Sequence, residues 1–459
     1  MKKNSHFLIL LLFVVLHASA NVTLPTFFSD GMVLQRNANA KIWGWADPGE
    51  AITILTGWNG KEYKVTPSNQ AYWSMEVTTP DAGGPYRITI KGYNEIQLKN
   101  ILIGEVWICS GQSNMEMNAG WGITNGDVEA SKADYPDIHF FTVPKRASDS
   151  PQQDFPGYWT VCTPETMKHF SAVGYFFALR LREDLKGVPI GLISSNWGGT
   201  PAEIWMAEKT VEQNTVVQQA TVALKVSQWG PTEPGHAYNA MIHPLIGYRI
   251  AGVLWYQGES NVGSAVYDQT LGALITSWRN SWGYNFPFYY VQIAPYRYGE
   301  DHTGGAIIRD AQRKVQNIIP NTGMVVTSDI STIDDIHPKD KKIVGTRLAN
   351  LALVDWYKTN NAIVNGPLFK STTVRNGKLY VAFDYAQGLY FKNKKISLFE
   401  IAGTDGQFYP AQAKIIRNEI VLSAIKVPSP IHVRYAWKNT DQADLFNVAG
   451  LPASTFRSE

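Results

Sequence analysis

Cysteine is scarce in this chain, with two among 459 residues, and no CxxC, HExxH or calcium-loop pattern occurs. That excludes a small disulfide-stapled scaffold, and gives no reason to expect a metal or other cofactor. An excess of charge of either sign is also missing, since 41 Lys and Arg stand against 39 Asp and Glu. No basic groove for nucleic acid and no polybasic membrane patch is therefore indicated. Nor is there an apolar run of the ~20 residues that a membrane-spanning helix needs. The one concentrated apolar stretch, from Phe7 to Leu16, follows Lys2 and Lys3 and precedes Ala18-Ser19-Ala20. A charged start, a short apolar core and a small-residue end form the pattern of a secretory leader over residues 1–20. Export, to the periplasm or beyond, is the expectation. No Cys stands at the leader's end, so no lipid anchor is expected. Loss of the leader removes two Lys and no acid, leaving the two signs equal in number.

What is present fits a large folded protein. A composition 44% hydrophobic and 17% charged permits sizeable cores and excludes a mainly disordered chain. The 38 Gly and 24 Pro are ordinary, which excludes collagen-like or linker-like architecture. At ~100–200 residues per domain, the length implies two to four domains. The 15 Trp and 22 Tyr suit β-domain cores and signal sugar contact only weakly. Cys109 and Cys162 leave a bridge open: export permits one, but a chain of this size does not require it.

Periodicity changes twice along the chain. From residue 21 to 99, short β-rich runs (Lys41–Trp45, Ala51–Leu55, Tyr86–Ile90) alternate with turn signals at Asp47-Pro48-Gly49, Asn59-Gly60 and Gly83-Gly84-Pro85. A small β-sandwich is expected there. Over residues 100–357, apolar strand-like runs at Ile101–Cys109, Ile190–Asn196, Ile250–Tyr256, Phe288–Ala294 and Gly323–Ser328 alternate with helical patterns. The helices are expected near Ala172–Leu185, Ala265–Ser281, Ala306–Ile319 and Lys339–Tyr357. This alternation predicts an α/β domain, a parallel sheet covered by helices on both faces. From 358 to 459 short strands return, at Lys378–Phe383, in a hairpin over Ile415–Leu422 and at Ile431–Tyr435. The sequence does not decide what this C-terminal β-rich region packs on.

In an open parallel sheet, ligands bind beyond the carboxyl ends of the strands. The residues that follow the strands are therefore the ones to read. Gly111-Gln112-Ser113-Asn114-Met115 follows the first, Trp197-Gly198-Gly199-Thr200 the second and Gln257-Gly258-Glu259-Ser260-Asn261 the third. Asp334-Asp335-Ile336-His337-Pro338 lies beyond the fifth. Ser113 behind a turn glycine is the candidate nucleophile, although a Ser-Asn pair after a strand also serves as a plain helix cap. His337 is the candidate base. Asp334, three residues earlier, is preferred as the group that orients it, and Asp335 is the adjacent alternative. Of the other histidines, His236, His243 and His302 are the alternatives as base. Oxyanion donors are expected from the backbone N–H of Ser113, that of Gly198 or Gly199, and the side-chain amide of Gln257. Asn114, Glu259 and Trp197 are expected to touch substrate. Glu259 suits an acceptor of sugar hydroxyls better than an oxyanion donor. Trp121, Trp197 and Trp205 are candidates for stacking on a sugar ring, with core packing the plain alternative. The order Ser, Asp, His also occurs in α/β-hydrolases. Here Met115 replaces the second glycine of G-x-S-x-G, and acid and base are three residues apart, which points to a different class.

Taken together, these blocks resemble the SGNH hydrolase superfamily and, within it, the sialate O-acetylesterase family of carbohydrate esterases. The resemblance is carried by Phe28–Arg36, Gly104-Glu105-Val106-Trp107, Ser110–Met115, Ser171–Phe177, Trp197–Pro201, Trp255–Asn261, Asp335–Pro338 and Leu451–Ser454. It implies an SGNH-type, flavodoxin-like parallel sheet and a cofactor-free serine esterase acting on O-acetyl esters of carbohydrates, sialic acids foremost. Esters on xylan or other plant polysaccharides are the alternative. Where the wider superfamily supplies an asparagine to the oxyanion hole, this chain has Gln257-Gly258-Glu259. A glycan-binding protein without catalysis is the rival of another kind.

Overall fold

The computed structural model describes residues 21–300, 302–392 and 397–458. The expected leader, residues 1–20, lies outside the described residues. The five strands read from the sequence pair in parallel. They are Glu95–Gly111, Ile190–Asn196, Gly252–Tyr256, Phe288–Val291 and Thr322–Val325. Numbered along the chain, they lie in the order 2-1-3-4-5. In this flavodoxin-like arrangement ligands bind at the switch point between strands 1 and 3, beyond their carboxyl ends. The inner strands are buried along their whole length because helices cover both faces. Ile108, Val253 and Trp255 face a core shared with Leu271, Leu274, Trp278 and Ile308. Trp107, Cys109, Leu254 and Tyr256 face the opposite core, with Val173, Phe177 and Leu348. The four helices run over Ala172–Asp184, Tyr267–Trp282, Gly304–Ile318 and Lys341–Asp355, within a few residues of expectation.

Two features exceed the sequence reading. Tyr135–Thr142 adds a parallel strand beside Ile190–Asn196, and Trp159–Cys162 adds an antiparallel one at the edge. Pro136, Asp137 and His139 interrupt the apolar pattern of the former, and the latter is only four residues long. The first strand is also longer than expected, with 17 residues. Its leading half pairs with Gly83–Lys91 and Val33–Gln35, and its trailing half with the central sheet. The boundary expected at residue 99/100 falls inside this one strand. It also sits where burial switches from partial to continuous.

The N-terminal β-region packs on the central domain. Phe27, Phe28 and Trp43 cluster with Tyr248, whose hydroxyl donates to the Val33 carbonyl at 2.7 Å. In the C-terminal region, two four-stranded sheets enclose Leu379, Phe399, Tyr435 and Phe456. Arg309 joins that region to the helix Gly304–Ile318. Fully buried, its guanidinium donates to the carbonyls of Ala436, Lys438 and Asn439 and to the Thr455 hydroxyl. Burial pulls its pKa down to about 10. Cys109 and Cys162 are both buried free thiols, so the bridge that was left open is not formed. Among the described residues no helix is long and apolar enough to cross a membrane.

Removing Arg309 strands several buried acceptors, each worth ~1–3 kcal/mol when left unsatisfied. Arg309→Met is expected to lower the unfolding free energy by roughly 2–4 kcal/mol. Urea denaturation checks this, and an unchanged midpoint contradicts it.

Candidate active site

The site begins with a glycine that no other residue can replace. Gly111 ends the first strand at φ 131°, and a Cβ there would lie 2.2 Å from the Tyr256 carbonyl oxygen. That carbonyl accepts the Gln112 N–H at 3.0 Å, which locks the turn against the third strand. The chain then enters the short helix Ser113–Glu116 with Ser113 at its first position. The N-cap position is Gln112, so the Ser113 hydroxyl is not spent on capping. Its Oγ lies 2.9 Å from Nε2 of His337, across 224 residues of sequence.

His337 stands in the loop between the fifth strand and the helix Lys341–Asp355. Burial, then the charge of Lys341, hold its pKa below the ordinary imidazole value, and Asp335 pulls the other way. Asp335 is the carboxylate against the ring: its Oδ1 lies 3.8 Å from Nδ1 and accepts the His337 backbone N–H at 2.9 Å. At 3.8 Å the approach is too long for a hydrogen bond, and it becomes an ion pair only when the ring is protonated. The expectation for Asp334 is corrected. Asp334 is three-quarters exposed and pairs with Arg297 at 3.2 Å, facing solvent instead of His337. Three-residue spacing guided that choice, but the loop is not helical, so the spacing does not place side chains on one face.

Three further expectations change. Gln257 is fully buried, and its Nε2 donates to the Thr200 carbonyl and to Asn261 Oδ1, while its Oε1 accepts from Tyr267. Its amide is thus engaged inside the protein rather than offered as an oxyanion donor. Asn114 is also fully buried and does not line the crevice. Its Nδ2 donates to Glu259 Oε1 at 2.6 Å and to the Ile336 carbonyl at 3.0 Å, and its Oδ1 accepts from Lys341 Nζ at 2.6 Å. Glu259, buried beside it, is turned inward as well, and burial raises its pKa. Small polar residues after a strand look alike in sequence whether they point into the crevice or beneath it.

Gly198 is brought to Ser113, since a Cβ on it would lie 3.1 Å from Ser113 Cβ. Its N–H, however, donates to Glu116 Oε2 at 2.8 Å, and Glu116 Oε1 is ion-paired with Lys145 at 2.5 Å. Among the described residues the N–H groups of Ser113 and Gly199 take no hydrogen-bond partner. Trp197 is partly buried and donates its indole N–H to the Trp229 carbonyl. Trp229 itself is largely exposed beside Gly199. Trp205 is fully buried, packed edge-on to Trp255, and is a core residue. Trp121 is exposed at the surface. Sequence reasoning missed Gln112, Glu116, Lys145 and Lys341. Two of them had a signal: Glu116 lies three residues after Ser113, and Lys341 four after His337. Among the described residues no group of three or more His, Cys, Asp or Glu is placed to hold a metal ion.

Comparison with known proteins finds relatives among carbohydrate esterases. The sequence model of the family described as carbohydrate esterase, sialic acid-specific acetylesterase, matches residues 103–353. The chain is 30% identical over 465 residues to the sialate O-acetylesterase of Homo sapiens, covering 92% of this chain and 88% of that one. It is 29% identical over 508 residues to the Mus musculus protein of the same name, covering 94% and 92%. Among solved structures, a carbohydrate acetylesterase from Xanthomonas citri superposes with a TM-score of 0.87 at 35% identity, covering 96% of this chain and 100% of that one.

The placement of the two acids is open to direct measurement. In an NMR titration of the histidine rings, Asp335→Asn is expected to lower the His337 midpoint by roughly half a unit or more. Asp334→Asn is expected to leave it in place. An equal shift from both substitutions contradicts the assignment.

Proposed function

The chain belongs to the sialic acid-specific acetylesterase family of carbohydrate esterases, and from that premise we propose that it removes O-acetyl groups from sialic acids with Ser113 as nucleophile. The observation that carries this reading is the 2.9 Å contact between Ser113 Oγ and His337 Nε2 at the carboxyl end of the sheet. A serine hydroxyl is a weak nucleophile until a base takes its proton, and only neutral His337 does so. The depressed pKa of His337 extends that base form to lower pH.

Attack of Ser113 on the acetyl carbonyl passes its proton to His337, and Asp335 stabilises the imidazolium. The approach of 3.8 Å is loose, as is common before substrate closes a site. Collapse of the tetrahedral intermediate returns the proton to the departing sugar oxygen. Water, deprotonated by His337, then releases acetate from Ser113. The Ser113 N–H is the first donor to the oxyanion. The Gly198 N–H joins it when Glu116 gives way to substrate. Gly199 N–H is the alternative second donor.

A second reading, acetyl esters on other carbohydrates, draws support from the 35% identity to the Xanthomonas citri carbohydrate acetylesterase. A glycan-binding protein without catalysis leaves the Ser113–His337 contact without a purpose. The Lys2–Ala20 segment supports an exported enzyme, periplasmic or extracellular.

Acetate release from O-acetylated sialic acids, acetylated xylan and peracetylated monosaccharides tests the proposal. The sialic acid esters are expected to turn over fastest. Ser113→Ala is expected to lose a factor of about 10⁴ or more while its melting curve is retained. Unchanged turnover in that variant overturns the nucleophile, and faster xylan deacetylation transfers the reading to plant polysaccharides.

A further inference from the structure

Beneath the Ser113–His337 pair lies a polar cluster that the esterase reaction, as described so far, does not use. Asn114, Glu259 and Lys341 are all buried. They come from the nucleophile turn, the turn after the third strand and the start of the last helix. The amide of Asn114 bridges the two charges in matched orientation. Its oxygen accepts from Lys341 Nζ, and its nitrogen donates to Glu259 Oε1, each at 2.6 Å. Among the described residues Glu259 Oε2 has no hydrogen-bond partner, and the Lys341 ammonium lies 5.1 Å from the Tyr256 ring centroid.

A buried charge pair of this kind contributes little net stability, because desolvation offsets its attraction. Its position is more informative. The remaining Asn114 N–H donates to the Ile336 carbonyl at 3.0 Å. That bond joins the residue after Ser113 to the residue before His337, so it ties nucleophile and base at the backbone. The amide can make it only while its rotamer is held, and Glu259 and Lys341 hold it from opposite sides.

We propose that Glu259 and Lys341 are positioning residues which, through Asn114, set the approach of His337 to Ser113. The proposal rests on the esterase reading and names how that site is held. Asp335 in its own loop, Ser113 opposite and Lys341 face His337, while Tyr256, Tyr267 and Tyr298 face Glu259. Asp334 is turned to Arg297 at the solvent side. Lys341 disfavours a charged His337 ring, so its removal acts on the base electrostatically as well as by position.

The test is steady-state hydrolysis of 4-nitrophenyl acetate by the full chain across the acid and neutral range. Lys341→Met is expected to lower kcat by roughly 10–100-fold with KM within about twofold, the effect of a small misplacement of reacting groups. It is also expected to move the acid limb of kcat/KM to higher pH by about half a unit or more. The double variant Glu259→Gln with Lys341→Met leaves no unpaired buried charge, and is expected to recover part of the single variant's loss. If Lys341→Met does not fold, the isosteric Glu259→Gln reads the same claim, with kcat reduced at least about threefold, KM held and the melting curve retained. A folded Lys341→Met protein with wild-type kcat and acid limb overturns the proposal, as does a loss that only tracks the folded fraction. If the unsubstituted enzyme hydrolyses no ester at all, the functional reading fails instead.

Discussion

A single hydrogen bond spanning 224 residues, from Ser113 Oγ to His337 Nε2, is the contact on which the rest of the structure depends. Neither residue is reactive alone. The sheet brings them together because parallel strands all end at the same rim, and the order 2-1-3-4-5 opens a crevice between the strand that delivers Ser113 and its neighbour. The tight turn at Gly111, closed against the Tyr256 carbonyl, fixes where the hydroxyl emerges. A long first strand carries that position into the N-terminal β-region, so Ser113 is anchored through pairings on both sides of the domain boundary.

Around this contact the polar side chains divide by depth. Those at the rim, Asp335, Glu116 and Lys145, remain in reach of solvent. Those beneath it, Asn114, Gln257, Glu259, Asn261 and Lys341, are buried and engage one another or the backbone. The strand-end motifs therefore hold two kinds of residue in one short stretch. Ser113 acts outward, and Asn114 is turned inward to hold the loops that meet behind it. The Glu116 carboxylate on the Gly198 N–H marks that donor as suited to negative charge, which is what an oxyanion site needs.

Much of this was legible from residues alone. Long apolar runs alternating with helical patterns identified the central sheet, because burial of strands on both faces leaves a strong pattern. The meeting of Ser113 and His337 was legible because parallel strands of an open sheet end at one rim. Tyr135–Thr142 was not, since Pro136, Asp137 and His139 break its apolar run. The choice between Asp334 and Asp335 was not legible either. Adjacent acids in a loop point in different directions, and Arg297, distant in sequence, captures one of them. The inward turn of Asn114, Gln257 and Glu259 depends on partners from other loops, which no local pattern reveals.

The central claim is that Ser113 becomes covalently acetylated with His337 as its base. It is tested most directly by intact-mass and peptide mapping after brief exposure to an acetyl ester or a serine-directed organophosphonate. The account predicts one adduct, on Ser113, that is absent in Ser113→Ala and forms far more slowly in His337→Ala. An adduct on another residue, or continued acetate release by a protein in which Ser113 stays unmodified, would contradict it.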